Sequence, residues 1–392
     1  MPPAEEHPTP GFQTDRVLTL TAAHALHDVY AAFLAPLLPH FIEVFRLTKT
    51  EAGLLSMVVQ GASLIQPFIG RAADRFNLVP LVMLTPAVTA TVMSLIGIAP
   101  SYGWLVLLLL VSGFSSAGIH ATGPVLTGNV SGDKLGRGMG FWMVGGELGR
   151  ALGPVVIVTA VKVLAFPQLP WLMVGGFATS AVLWVQLRDV SLRPPPGLPA
   201  APSLRQGLRM MGPFVGVLAG LLAARSFMIV TLSTYLPTLL TEEGSSLWLA
   251  GVSLTALETA GVVGALIGGS LSDRLGRRRV LFGSMISSSL LMLLFLAVEG
   301  WVRFPLLLLL GLTALSVAPV IMASVQENFP QSRSMANGIY MALNFGIRVP
   351  VLLVVGALAD WLGLHTAFVI SAILSLVGLP FLRWLPVPER RR

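Results

Sequence analysis

The 392-residue chain contains no cysteine, and only 11% of its residues are charged. The absence of cysteine excludes disulfides and thiolate metal ligands. A soluble domain ordinarily carries roughly 25% charged residues, so most of this surface must face something other than water. With 54% hydrophobic residues and a mean hydropathy of +0.80, the composition favours a lipid environment.

Twelve apolar stretches are long enough to cross a bilayer as helices, which takes about 20 residues each. The predicted spans are 17–39, 52–70, 79–98, 103–124, 138–162, 169–187, 212–240, 247–269, 280–298, 304–326, 336–357 and 364–384. A proline-rich solvated linker at 188–211 divides them. The sequence therefore predicts an all-α membrane protein with six-helix bundles at 1–187 and 212–392 around a central cavity.

Basic residues are distributed unevenly between the predicted loops. With both termini placed in the cytoplasm, 18 of the 25 Lys and Arg residues lie on the cytoplasmic side, four lie outside and three lie within spans. This bias predicts the orientation and an inner-membrane location. It also accounts for the net charge of +7, so we expect no nucleic-acid partner.

One short loop pattern occurs twice, with its aspartates Asp74 and Asp273 separated by 199 residues. A chain that repeats itself once, with membrane-length helices in each half, is typical of a duplicated transporter. Glycine permits a tight turn and close helix approach, and an aspartate can bind a helix N-terminus or an arginine. We therefore predict a gating role, the alternative being loop charges that only orient the protein. The predicted gating residues are Gly70, Asp74, Arg75, Gly269, Asp273, Arg274, Gly276 and Arg277.

This loop pattern, read as Gly-x-x-x-Asp-Arg-x-Gly-Arg-Arg in its second copy, resembles the signature of the major facilitator superfamily. On the fifth span, a glycine series is similar to the antiporter motif of efflux members, although such glycines also serve ordinary close packing. That motif comprises Gly145, Gly149, Gly153 and Pro154. The segments 24–28, 66–70 and 113–120 resemble the fosmidomycin-resistance branch of drug exporters. The resemblance implies alternating access by rocking of two bundles and export in exchange for protons.

Ionised side chains are costly in the bilayer centre, roughly 2.5–3.5 kcal/mol each on insertion scales, and persist where they have a function. The candidates for proton coupling are Asp28, Glu147, Arg150 and Glu258. Glu147 and Arg150 are three residues apart on one helix face and can pair. A carboxylate that alternates between an arginine partner and unpaired burial takes up and releases a proton. The alternative is a fixed ion pair.

Arg225 and Arg348 have no obvious carboxylate partner on their own helices. A desolvated arginine suits a phosphonate, phosphate or carboxylate, whereas helix-end carbonyls or Glu258 are the alternative partners. The candidate substrate-binding residues are His24, His27, His120, Arg225, Arg348, Tyr235 and Asn344.

The histidines leave a second hypothesis open. His24, His27 and Asp28 share one face of the first span, and His120 is expected at a similar depth. Imidazoles with a carboxylate suit a divalent metal ion, so the alternative is a metal-ion or nutrient transporter. The main prediction has no cofactor and no resident metal. Its partners are a small-molecule substrate, protons and the lipid bilayer, and the protein is expected to act as a monomer. The sequence contains neither a glycine-rich nucleotide-binding loop nor a set of nucleophile and base, so we do not expect an enzyme.

Overall fold

The computed structural model describes residues 11–73, 76–190, 204–329 and 333–385, and this part of the chain is helical without strands. Twelve segments, labelled α1 to α12, follow the predicted order of spans. They are Thr14–Phe45, 49–73, Val79–Ile98, Tyr102–Ser131, Leu135–Leu164, Phe166–Leu187, Phe214–Glu242, Leu247–Leu275, Arg277–Ala297, Gly300–Asn328, Arg333–Leu362 and Leu364–Trp384. Ten of them are long and apolar enough to cross a membrane. The other two are α5 and α2, and α2 consists of Lys49–Gly61, Ala62–Ile65 and Gln66–Ala73 in succession.

Helices α1, α7 and α10 are each interrupted four residues before a proline. Helix α1 breaks between Thr14–Ala31 and Leu34–Phe45, and α10 breaks between Arg303–Ala314 and Val317–Asn328. Helix α7 contains a π-helical turn at Thr231–Tyr235. A proline ring clashes with the carbonyl four residues earlier and removes one backbone donor. The breaks thus follow from proline at positions 36, 237 and 319.

Helix α5 packs closely against α1 through three glycines spaced four residues apart. A Cβ atom added at Gly145, Gly149 or Gly153 would lie 2.1–2.5 Å from a carbonyl oxygen of Thr21, Ala25 or Val29, respectively. Any larger side chain would push the helices apart. The expected close packing of this glycine series is therefore present, and it fixes α5 beside the polar face of α1.

The two halves meet through α2 with α11 and through α5 with α8. We call the end of the bundle at Gly276, where α8 turns into α9, the loop face, and the opposite end the far face. At the far face, Asp360 of α11 accepts hydrogen bonds from the first turn of α2. Its carboxylate accepts hydrogen bonds from the backbone N–H groups of Lys49 and Thr50 at 2.5 and 2.9 Å and from the Thr50 hydroxyl at 2.6 Å. Lys49 also pairs with Glu242 of α7.

The α5–α8 contact extends this junction toward the middle of the membrane. The Val155 backbone N–H, next to Pro154, donates to Thr255 Oγ1 at 3.0 Å. Closer to the far face, Trp248 Nε1 donates to Thr159 Oγ1 at 3.2 Å. The contacts between the halves thus close the molecule at the far face.

The segment predicted as a linker contains a short helix, Leu204–Met211, ahead of α7. Met211 is buried against the loop-face core of the second half, which explains why this stretch folds although it is too short to span a membrane. Gly212 then adopts a φ of +46°, a conformation that favours glycine, and the chain turns into α7.

We expect Asp360→Asn to weaken closure of the far face, because neutral hydrogen bonds replace charge-assisted ones of roughly 1.5–3 kcal/mol each. The chain has no cysteine, so Val158→Cys, at a buried position packed on Gly251, provides a unique reporter for maleimide labelling. Labelling should accelerate roughly 10-fold or more in Asp360→Asn. The exposed Asp15, changed to Asn, is the matched control and should leave the labelling rate unchanged. Equal rates in all three proteins would contradict this assignment.

Candidate functional site

A cluster of imidazoles around one carboxylate lies between α1 and α4. Asp28 Oδ2 is 3.5 Å from His24 Nε2, and Asp28 Oδ1 is 3.5 Å from His120 Nε2. The ring of His27 lies 5.9 Å from that of His120 and is fully buried. The structure thus brings together the four residues that the sequence placed at one depth.

Helix α5 supports this cluster through Trp142 and Gly146. The indole of Trp142 stacks on the His24 ring at 3.8 Å between centroids, and its backbone carbonyl lies 2.9 Å from His24 Nδ1. A Cβ added at Gly146 would lie 2.5 Å from the His24 ring. Neither residue was among the predicted site residues, although Gly146 lies within the glycine-rich run of the antiporter motif. A backbone carbonyl or a missing side chain that contacts a histidine is not visible in the pattern of polar and apolar residues along a sequence.

A second charged group crosses between the halves. Arg150 of α5 pairs with Glu147 on its own helix, and its Nε lies 3.5 Å from Glu258 Oε2 on α8. Glu258 is only 7% exposed. The expected pairing of Glu147 with Arg150 is present, and Glu258 joins it from the other half. The Arg150 guanidinium therefore forms ion pairs with two carboxylates, one of which belongs to the opposite bundle.

Arg225 and Arg348 are held by neutral oxygens instead of carboxylates. Arg225 donates to the Ala314 carbonyl at 3.3 Å, where the break in α10 frees backbone acceptors. Arg348 donates to Ser233 Oγ, in the π-helical turn of α7, at 3.4 Å. The Nε atoms of both arginines are buried without a hydrogen-bond partner in the described part of the chain. Their positive charge is thus only weakly compensated, although Arg348 lies within electrostatic range of Glu258.

The remaining two predicted substrate-binding residues have different surroundings. Tyr235 is fully buried, and its hydroxyl donates to the Lys49 carbonyl at 2.9 Å, in the junction at the far face. In this closed arrangement Tyr235 is not accessible to a substrate, because the π turn directs it between the halves. Asn344 is half-buried on α11, one turn before Arg348.

The second gating motif forms its contacts within its own half. Arg277 pairs with Asp273 at 2.6 Å and with Glu327 of α10 at 2.6 Å. Gly276 has a φ of +95°, so the predicted tight turn is present. The expected close helix approach is not at Gly269, where an added Cβ would meet open space. It is found one and two turns earlier in α8, at positions 261 and 264 against α10.

The remaining gating predictions are tested less fully by the structure. Gly70 lies in the last helical part of α2, Gln66–Ala73. The predicted gating residues Asp74 and Arg75 lie outside the described residues. Arg274 ends α8 in its last turn. The gating role of both loop copies therefore stays a prediction.

Comparisons with known proteins place this architecture among transporters. The model of the Major Facilitator Superfamily matches residues 20–264 and 250–392. The chain is 23% identical over 368 residues to the fosmidomycin resistance protein of Escherichia coli (strain K12), covering 92% of this chain and 90% of that protein. It is 26% identical over 388 residues to the class G tetracycline resistance protein of Vibrio anguillarum, covering 89% and 92%.

The fold is also similar to that of a solved structure. It superposes with a TM-score of 0.78 on a bacterial homologue of the human lysosomal transporter Spinster, in an inward-facing and occupied conformation, at 15% identity and with coverage of 95% and 97%. Proteins of this family carry small molecules across membranes and are not enzymes. The chain, with its duplicated six-helix halves, belongs to the major facilitator superfamily of membrane transporters.

Proposed function

We propose that the protein exports small organic anions in exchange for protons, by rocking of its halves. The observation that carries the coupling is Arg150, which pairs with Glu147 in its own half and with Glu258 in the other. Opening of the far face separates α5 from α8 and removes Arg150 from Glu258. A buried carboxylate without its partner favours the protonated form, so Glu258 takes a proton from the far side.

Closure of the far face reverses this step. Arg150 returns to Glu258, favours the ionised carboxylate and displaces the proton toward the open loop face. We place the loop face and both termini in the cytoplasm of a bacterial inner membrane, because basic residues are concentrated there. Each cycle of a single molecule then moves a proton inward while the cargo leaves through the far face.

The proposed anion site is the pair Arg225 and Arg348 in the second half. Neither arginine forms an ion pair with a carboxylate in the described part of the chain. Both unpartnered Nε atoms are donors suited to an oxyanion. The similarity to a fosmidomycin resistance protein supports a phosphonate-type cargo, and the similarity to a tetracycline resistance protein supports export of drugs.

We expect Glu258→Gln to separate exchange from energy coupling. The glutamine mimics the protonated carboxyl and cannot release a proton. In proteoliposomes, cargo exchange without a pH gradient should continue, whereas an imposed gradient should no longer drive uphill export. The exposed Glu299, changed to Gln, is the matched control and should remain coupled. Uphill export by Glu258→Gln at the normal rate would exclude this residue as the proton carrier.

Glu147→Gln should have a different effect. It removes the partner that holds Arg150 when Glu258 is released, so the far face opens less readily and turnover decreases. The gradient should still drive the remaining transport. Measurement of exchange rates in the same proteoliposomes distinguishes the two carboxylates, and an uncoupled but rapid Glu147→Gln would reverse the assignment.

We expect Arg348→Gln to reduce protection against anionic compounds selectively. A hydrogen bond to a charged group contributes roughly 1.5–3 kcal/mol, so the affinity for an anion should decrease roughly 10- to 100-fold. The measurement is growth inhibition of a pump-deficient host by fosmidomycin and by lipophilic cations. Arg383→Gln, at an exposed position of α12, should behave as the unchanged protein. Equal loss of resistance to cations and anions would contradict an anion site.

A further inference from the structure

We propose that His24, Asp28 and His120 bind a divalent transition-metal ion of the Zn²⁺, Co²⁺ or Ni²⁺ type. The site lies in the first half of the molecule, between α1 and α4. It is separate from the arginine pair to which we assign the anion and from the carboxylate to which we assign the proton. Its existence therefore does not depend on the proposed export function.

The three side chains lie close enough together to hold a metal ion, whereas their hydrogen bonds to one another are long. Each imidazole nitrogen is 3.5 Å from a different oxygen of Asp28, which is longer than a good N–H···O bond. One donor atom from each residue can be chosen so that all three lie within 4.8 Å of one another. Four-coordinate zinc binds nitrogen and oxygen at about 2.0–2.2 Å, so neighbouring donors are about 3.3–3.6 Å apart. Donor separations beyond that range, up to the 4.8 Å limit, therefore have to shorten when an ion binds.

The tautomer of His24 supports the same conclusion. Its Nδ1 lies 2.9 Å from the Trp142 carbonyl, and a carbonyl oxygen only accepts, so Nδ1 carries the hydrogen. The neutral ring then presents the lone pair of Nε2 to the Asp28 carboxylate. Two acceptors that face each other need a positive charge between them. His24 Nε2 and Asp28 Oδ1 are both buried without a hydrogen-bond partner in the described part of the chain.

A carbonyl that orients a metal-binding histidine is a common outer-shell arrangement. Here the Trp142 backbone has that role, and the stacked indole holds the imidazole plane at an angle of 15° to its own. His24 is 4% exposed, so its orientation is fixed by packing. The cluster is therefore preorganised by α5, which supplies no ligand itself.

Space for the ion comes from Gly146. A Cβ added there would lie 2.8 Å from His24 Nε2 and 3.1 Å from Asp28 Oδ2, beside both donor atoms. His120 is the most accessible of the three, with 30% of its side chain exposed, and provides the route by which an ion reaches the cluster. An alanine at position 146 would occupy this space and displace the His24 ring, while all three ligand residues stay in the chain.

All three ligands belong to α1 and α4 of one bundle. Rocking of one half against the other leaves their mutual distances unchanged, so the movement does not release the ion. The metal is thus a resident component of the first half, not a cargo. Two neutral imidazoles, one carboxylate and one divalent cation together carry a single positive charge.

The test is titration of the purified full-length protein with Co²⁺ in detergent, followed by visible absorption and by competition with Zn²⁺. We expect one Co²⁺ per chain. Gly146→Ala should weaken binding by roughly 100-fold or more, since loss of an outer-shell partner alone costs 10- to 100-fold. Gly140→Ala, on the same helix, is the matched control, because an added Cβ there meets open space.

His120→Ala removes a ligand and should also weaken Co²⁺ binding, whereas His365→Ala, at an exposed position of α12, should retain it. Thermal unfolding verifies that each variant is folded. His120 is partly exposed, so its replacement provides a test even if Gly146→Ala does not fold. If the unchanged protein binds Co²⁺ no more tightly than Gly146→Ala and His120→Ala, the proposal is wrong and the cluster shares a proton instead.

Discussion

Ionised groups inside an apolar bundle have to be paired or hydrogen-bonded, because their desolvation is otherwise too costly. Arg150 satisfies two carboxylates at once, and only one of them lies in its own half. Glu258 is buried, and its cationic partner comes from the opposite half. A single guanidinium thereby connects the two halves at membrane depth. Its second partner, Glu147, lies on its own helix, so that pairing does not cross between the halves.

Backbone geometry places these groups. The glycine series of α5 brings its helix axis close to α1, so Glu147 and Arg150 lie beside the histidine cluster. The proline-linked breaks in α7 and α10 free polar backbone and place Ser233 and the Ala314 carbonyl against Arg348 and Arg225. Interrupted helices are a recurrent way in which transporters expose polar groups at membrane depth. Small residues and prolines thus determine where the charged side chains lie.

Much of this architecture could be predicted from the sequence. The apolar runs and the duplicated loop indicated twelve spans in two halves, and the structure has helices at all of them. The shared face of His24, His27 and Asp28 followed from helical spacing, which is a local property. The pairing of Arg150 with Glu258 and the burial of Tyr235 did not follow. They depend on the rotation of helices about their own axes and on which face is closed, and a single sequence does not encode these in any local pattern.

The junction at the far face has a consequence for how sequences of this type vary. The Asp360 carboxylate accepts its hydrogen bonds largely from the backbone N–H groups of Lys49 and Thr50. Every residue except proline has such a group. Substitution at positions 49 and 50 can therefore leave most of that contact intact, while substitution of Asp360 cannot. Selection on this contact therefore acts mainly on Asp360. Correlated substitutions between positions of α2 and α11 will consequently reveal little of this interface, even though it holds the two halves together.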